Sequence, residues 1–261
     1  MPEYAIGVDF GTESGRAVLV DVATGEEVAT AVHEYADGVI DDHLPHTSVK
    51  LEPATALQNP ADYIAVFRNA IPAVLSAAKV DPGSVIGVGI DFTSCTILPI
   101  DAGNMPLCLL REWKDNPHSW VKLWKHHAAQ DEADHINETA RSRGEGFLAR
   151  YGGKYSSEWF FSKVLQVLND SPDLYRAADR FMEAADWVVL ELTGEEKRSL
   201  CAAGYKAMWD KEEGFPSDDF FAALHPGLKG VTDDKMTRRY YPLGGRAGEI
   251  TKRSASITGL L

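Results

Sequence analysis

The chain has 261 residues, 44% of them hydrophobic, and a formal net charge of −13. That much apolar side chain fills a core and excludes intrinsic disorder. The acidic balance excludes wrapping nucleic acid, or sitting on an anionic membrane, as the main task. Cys95, Cys108 and Cys201 are odd in number and widely spaced, which gives neither a zinc pattern nor a disulfide framework and fits a reducing, cytoplasmic setting. The start, Met1-Pro2-Glu3-Tyr4, is not that of a signal peptide, and no apolar run has the length of a membrane span.

Residues 4–9 read as a short apolar strand, followed by a glycine-rich turn from Gly11 to Gly15. A second strand is expected over 17–22 and, after a turn at Gly25, a third over 27–35. Three short strands on tight turns predict an antiparallel meander. Residues 36–58 show no period and read as a loop. Asn59-Pro60 then signals a helix start, a capping side chain followed by proline at the first helical position. Tyr63, Phe67, Ala70, Ile71, Val74 and Leu75 recur at helical spacing and should face the core, and Pro72 predicts a kink. Residues 84–91 read as a buried strand with 96–100 as its neighbour. Asn116-Pro117 repeats the helix-start signal and predicts a long helix through Trp120, Val121, Trp124 and Ala128, stopped by Gly144. Further helices are expected over 157–168, 172–178, 184–193 and 217–224, with a short strand at 181–183. No repeat or linker divides the chain, so it reads as one mixed α/β unit.

The stretch richest in chemistry is Asp9-Phe10-Gly11-Thr12-Glu13-Ser14-Gly15-Arg16. It sets a carboxylate at the end of a strand and a glycine-rich turn directly after it. Gly11 and Gly15 tolerate positive φ and let backbone N–H groups approach an anion. Thr12 and Ser14 add hydroxyls, and Arg16 adds a fixed cation suited to phosphate oxygens or to one of the many carboxylates. An acidic side chain beside a phosphate cradle calls for a cation between them, and Mg²⁺ with its retained waters suits that place. The stretch is not a P-loop, since no Gly-Lys-Ser/Thr follows at the required spacing. It is not a dinucleotide fingerprint, because a strand follows the turn, nor a nucleophile elbow, because Ser14 directly precedes Gly15. A plain hairpin with a glycine-rich turn is the competing reading.

The same stretch resembles the first phosphate motif of the actin-like ATPases in the form used by the FGGY carbohydrate kinases. Three more segments resemble the ribulokinase branch of that family: Asp91-Phe92-Thr93-Ser94-Cys95-Thr96, the tryptophan-centred run from Asp115 to Ala129, and Gly204-Tyr205-Lys206-Ala207-Met208-Trp209. The matches fall in order along the chain.

The resemblance implies a ribonuclease-H-like α/β domain with a mixed five-stranded sheet and helices on both faces. Residues 1–261 would be the amino-terminal domain, with the ATP-clamping carboxy-terminal domain and the aspartate base lying beyond Leu261. The implied activity is ATP-dependent phosphorylation of a pentulose, L-ribulose first, with xylulose, ribitol or glycerol as sibling substrates. The isolated chain would show little turnover, and a second-half chain or a homo-oligomer are the partners to consider. A non-catalytic sugar-binding module and an actin-like structural protein are readings of other classes.

By the same resemblance Asp9 would hold the Mg²⁺ of Mg-ATP, and Gly11, Thr12 and Arg16 would cradle the phosphates. Ser94, Cys95 and Thr96 would line the sugar pocket, partly through backbone groups. Trp124 would pack on the apolar face of the sugar, and Lys206 would hydrogen-bond a sugar hydroxyl. Each has a plainer alternative: Cys95 as a small buried hydrophobe, Trp124 as core beside Trp120, Lys206 as a solvated surface lysine. His126, His127, Asp131 and His135 invite a metal reading, but His127 and His135 on one helix would stand about 12 Å apart, too far to share an ion.

Overall fold

Three strands open the chain as the predicted meander: β1 (Tyr4–Phe10), β2 (Ser14–Asp21) and β3 (Glu27–Glu34), with Asp9 opposite Arg16 across the first pair. The computed structural model describes residues 2–237 and 239–260. After the irregular segment come β4 (Leu57–Gln58) and α1 (Pro60–Ala78). The Asn59 side chain caps α1 by accepting from the Ala61 N–H, and Lys79 closes it in the left-handed conformation. All six residues expected to face the core do so. They pack α1 onto β2 and β3.

β5 (Val85–Phe92) runs parallel to β1, and the sheet order is β3-β2-β1-β5. The sheet is mixed as expected but has four strands among the described residues, not five. The predicted fifth-strand neighbour, β6 (Ile97–Ile100), turns away instead into a second sheet of order β4-β7-β6-β8, with β7 at Val121–Lys122 and β8 at Arg180–Glu183. β5 is therefore an edge strand and is not buried. Val88, Ile90 and Phe92 face the core, while Ile86 is 58% exposed and Gly87 and Gly89 offer no outward side chain to cover.

The expected helix after Asn116-Pro117 is the larger correction. Asn116 does cap, accepting from the His118 N–H, but it starts only one turn, Pro117–Ser119. Val121 and Lys122 are then drawn into pairing with Gln58 and Leu57, and sheet pairing outweighs the local helix signal. The helix, α2 (Gln130–Arg143), begins later and ends at Gly144 with φ 71°, as predicted.

α3 (Phe147–Arg150), α4 (Phe160–Asp170) and α5 (Pro172–Ala177) lead into β8 and α6 (Ala184–Thr193). The chain continues through β9 (Arg198–Ser199), α7 (Leu200–Lys206), α8 (Asp218–Leu224), α9 (Val231–Asp234), β10 (Tyr240–Tyr241) and α10 (Lys252–Thr258).

Two large apolar cores and a small third one around Ile40, Leu44, Leu51, Leu57, Cys108 and Trp120 result, and the second sheet lies between the two large ones. Leu98, Ile100, Val121 and Met182 face the core shared by β1, β2, α1 and α6, whereas Ile97 and Phe181 face the one built on α2, α4, α5 and α8. This is strand alternation with both faces buried. α1 and α6 cover the inner face of the first sheet, so the expected helices on both of its faces are not found among the described residues. Its outer face, bearing Asp9, Arg16, Val18 and Val32, is left open: Val32 is 61% exposed. No helix among the described residues is long and apolar enough to cross a membrane.

Candidate functional site

The β1–β2 hairpin puts its polar groups where the sheet is open. The Gly11 N–H donates to Ser14 O at 2.9 Å and closes the turn. From below, Gln58 Nε2 donates to Thr12 O at 2.7 Å and Tyr35 OH to Gly11 O at 3.2 Å. The turn is thus fixed through its carbonyls, while the N–H groups of Thr12 and Glu13 have no partner among the described residues. Arg16 Nη1 donates to Asp9 Oδ2 at 3.0 Å, and both side chains are substantially exposed. Asp91 lies beside Asp9 in the β1–β5 register, which puts a second carboxylate on the same face.

The two hairpin glycines act differently from the expectation. Neither has positive φ. A Cβ on Gly15 would lie 2.4 Å from Val66 Cγ2, so Gly15 is there to let β2 approach α1. A Cβ on Gly11 would lie 3.1 Å from Ser14 O, so a side chain there would press on the turn's own carbonyl by a few tenths of an ångström.

The loop from β5 to β6 carries Ser94, Cys95 and Thr96. Cys95 adopts φ 63° and is 1% exposed. Burial pushes its thiol far above the usual range, so it is a neutral, inert group. Thr96 is also fully buried, its hydroxyl paired with that of Thr93 at 2.9 Å and its carbonyl accepting from the Ala184 N–H. Cys95 and Thr96 can offer a ligand backbone groups only, whereas the half-buried Ser94 keeps an accessible hydroxyl.

Trp124 follows β7 in a loop, not in a helix. Its indole is 39% exposed, and Nε1–H donates to Thr12 Oγ1 at 3.1 Å. Trp120, four residues earlier, is the core residue: it is buried and donates to Lys114 O. Lys206 ends α7. It influences Cys95 and Glu183 electrostatically, and its ammonium stands 5.1 Å from the Tyr205 ring.

A buried polar layer beneath this floor escaped the sequence reading. His126 accepts from the Ala56 N–H at Nδ1 and donates from Nε2 to Gln166 Oε1 at 2.9 Å. Burial, reinforced by Lys122 and Lys163, holds it well below the ordinary histidine range, so it is neutral. Lys122 Nζ donates to the same Gln166 oxygen and contacts His118 Nδ1, and burial pushes Lys122 down to about 7. Lys163 donates to backbone carbonyls alone. In sequence these lysines look like surface residues. The signal that could have found Lys163 is its place within the apolar run from Phe160 to Leu168.

His127 and His135 do not converge on one point. His127 approaches Glu158 at 3.5 Å, and His135 contacts Leu224 O at 2.9 Å from α2. Among the described residues no set of three or more His, Cys, Asp or Glu could hold a metal ion.

A profile of the FGGY family of carbohydrate kinases, N-terminal domain, matches residues 4–260. The chain belongs to the FGGY family of carbohydrate kinases. Among curated FGGY relatives, a ribulokinase of Geobacillus thermodenitrificans (strain NG80-2) is 57% identical over 259 residues, which are 99% of this chain and 46% of that protein. A ribulokinase of Mycolicibacterium smegmatis is 49% identical over 261 residues, with the same coverage of each chain. The chain therefore spans about half the length of the curated relatives it matches. Among solved structures, a xylulose kinase from Rhodospirillum rubrum superposes with a TM-score of 0.76 at 21% identity, over 99% of this chain and 47% of that one. At that identity the likeness speaks for the shared fold alone.

Proposed function

We propose that this chain is the sugar- and phosphate-binding half of an ATP-dependent pentulose kinase whose substrate is L-ribulose. The observation that carries the reading is the hydrogen bond from Trp124 Nε1 to Thr12 Oγ1, which joins segments 112 residues apart. It sets the wall expected for the sugar directly against the turn expected for the phosphates. The ribulokinase relatives support the choice of sugar.

Phosphoryl transfer needs positioning and charge stabilisation more than covalent help from the protein. The unpartnered N–H groups of Thr12 and Glu13 and the Arg16 guanidinium supply donors for phosphate oxygens. Gly11 keeps the turn tight, and the Gln58 and Tyr35 bonds hold its amides outward. Asp9 fits a Mg²⁺ that keeps its waters and takes its other ligands from phosphate: its carboxylate is exposed, with only Oδ2 paired to Arg16 and Asp91 beside it, and no closed protein cage is present among the described residues. When bound, that Mg²⁺ supplies neutralising charge on the phosphate oxygens. Ser94, the backbone of Cys95 and Thr96, the face of Trp124 and the Lys206 ammonium would orient the sugar. A base must take the hydroxyl proton as the bond forms. We place that base, with the nucleotide clamp, in the half of the relatives that this chain does not match.

Calorimetry on this chain tests the reading. L-ribulose and Mg-ATP should each bind saturably, L-ribulose ahead of xylulose, ribitol and glycerol, while a coupled ADP-release assay shows little turnover. Sugar binding without any nucleotide binding would favour a non-catalytic module. Absence of both would overturn the proposal.

A further inference from the structure

We propose that Lys163 is a positioning residue that ties the Ser94–Cys95–Thr96 loop to the Trp124 loop and so sets the shape of the sugar floor. This rests on the sugar-site reading above. Lys163 sits on α4 with no solvent exposure. Its ammonium donates to Cys95 O at 2.5 Å, Leu123 O at 2.8 Å and Lys122 O at 3.5 Å. A lysine ammonium has three donors, and here each meets a carbonyl, so none is left for a ligand. Two of those carbonyls belong to chain neighbours of expected sugar-contact residues: Cys95 lies between Ser94 and Thr96, and Leu123 directly precedes Trp124.

The loop needs such a grip. Cys95 holds φ 63°, a conformation unfavourable for a residue with a Cβ. Its carbonyl accepts from the buried Lys163 on α4, which holds the strained residue from one side. Burial pushes Lys163 down and Glu183 up, and each partly offsets the other. A role confined to stability would be met as well or better by an apolar side chain of similar volume, because desolvating an ammonium is unfavourable. What an apolar side chain lacks is the ability to fix two separate loops to one point.

The experiment compares wild type with Lys163→Met, Lys163→Gln and Leu165→Ala in this chain. Leu165 lies on the same helix, is 1% exposed and donates to neither loop, so its variant controls for general destabilisation. In Lys163→Met, amide exchange at residues 94–96 and 123–125 should speed more than tenfold beyond the Leu165→Ala control. Its L-ribulose Kd should rise more than tenfold while the Mg-ATP Kd stays within twofold. Lys163→Gln keeps two N–H donors, should fold if the methionine variant does not, and should fall between it and wild type. Loop exchange and sugar affinity equal to the control in whichever variant folds would overturn the proposal. If the wild type binds no sugar yet the loop amides respond as stated, the positioning stands and the substrate reading fails.

Discussion

Trp124 is where the two parts of the site touch, and its energetics are separable. With the indole 39% exposed, Trp124→Phe should cost folding stability little beyond the hydrogen bond it loses, about 0.5–1.5 kcal/mol. Trp124→Phe keeps an aromatic face but deletes the Nε1–H donor to Thr12 Oγ1. Holding the freed ring in place for the sugar then costs at most that much, roughly two- to tenfold weaker L-ribulose binding. Titration followed by a thermal melt checks both halves, and unchanged affinity would detach Trp124 from the site. At this scale, legibility tracked chemistry that lies close in sequence. The grouping of Asp9, Thr12 and Arg16 at the hairpin could be read because a strand end, a turn and a cation follow one another within eight residues. Lys163 and Lys122 could not, because a lone lysine among apolar neighbours carries no mark of the distant carbonyls or amide oxygen it serves. For Cys95 the plainer alternative matches the observed burial of its side chain, and for Trp124 it does not.

Elements were legible where one local rule acted unopposed. The meander and α1 follow from alternation, tight turns and an Asn-Pro start. The same Asn-Pro device at 116–117 capped only a single turn, because Val121 and Lys122 had a strand to pair with and Trp120 a core to fill. Tertiary pairing overrode local propensity there, and no window of sequence around Asn116 contains β4. The β2–α1 contact gives a test at this scale. Gly15→Ala would place a methyl 2.4 Å from Val66 Cγ2, and the strand and helix must part. Overpacking of this kind typically destabilises by ~1–3 kcal/mol, or several degrees in Tm for a chain of this size. Val66→Ala in the same chain should recover part of the loss, a coupling that a double-mutant cycle measures. Additive losses would show that the two positions do not meet.

Across the whole molecule, the two larger apolar cores are joined by a sheet buried on both faces and by the polar layer of His126, Gln166, Lys122 and Lys163. His126 binds that layer together, since it contacts the segment before β4 through Ala56 N and α4 through Gln166. Its folded pKa is depressed below 6.5, first by burial and then by Lys122 and Lys163. Below pH 6.5 the unfolded chain takes a proton at this histidine that the native chain refuses. The His126 contribution is therefore full above pH 6.5 and is lost as pH falls towards the folded value, by at most about 1.4 kcal/mol per pH unit. Glu183 and Asp186 act with the opposite sign. Burial raises both, Asp186 to about 7 and Glu183 to about 8, so their contribution is full below about pH 4 and is lost as pH rises from there to those raised values. The wild-type profile mixes the two, so the informative quantity is a difference. His126→Gln should be less stable than wild type at pH 8, where it loses the Ala56 contact and part of the packing. The gap should narrow steadily from pH 6.5 to 5 as only the wild type incurs the protonation penalty. Denaturant melts of both proteins across that range measure it. A gap independent of pH would mean that the native chain protonates His126 as readily as the unfolded one, and that the layer joining the two cores is wet.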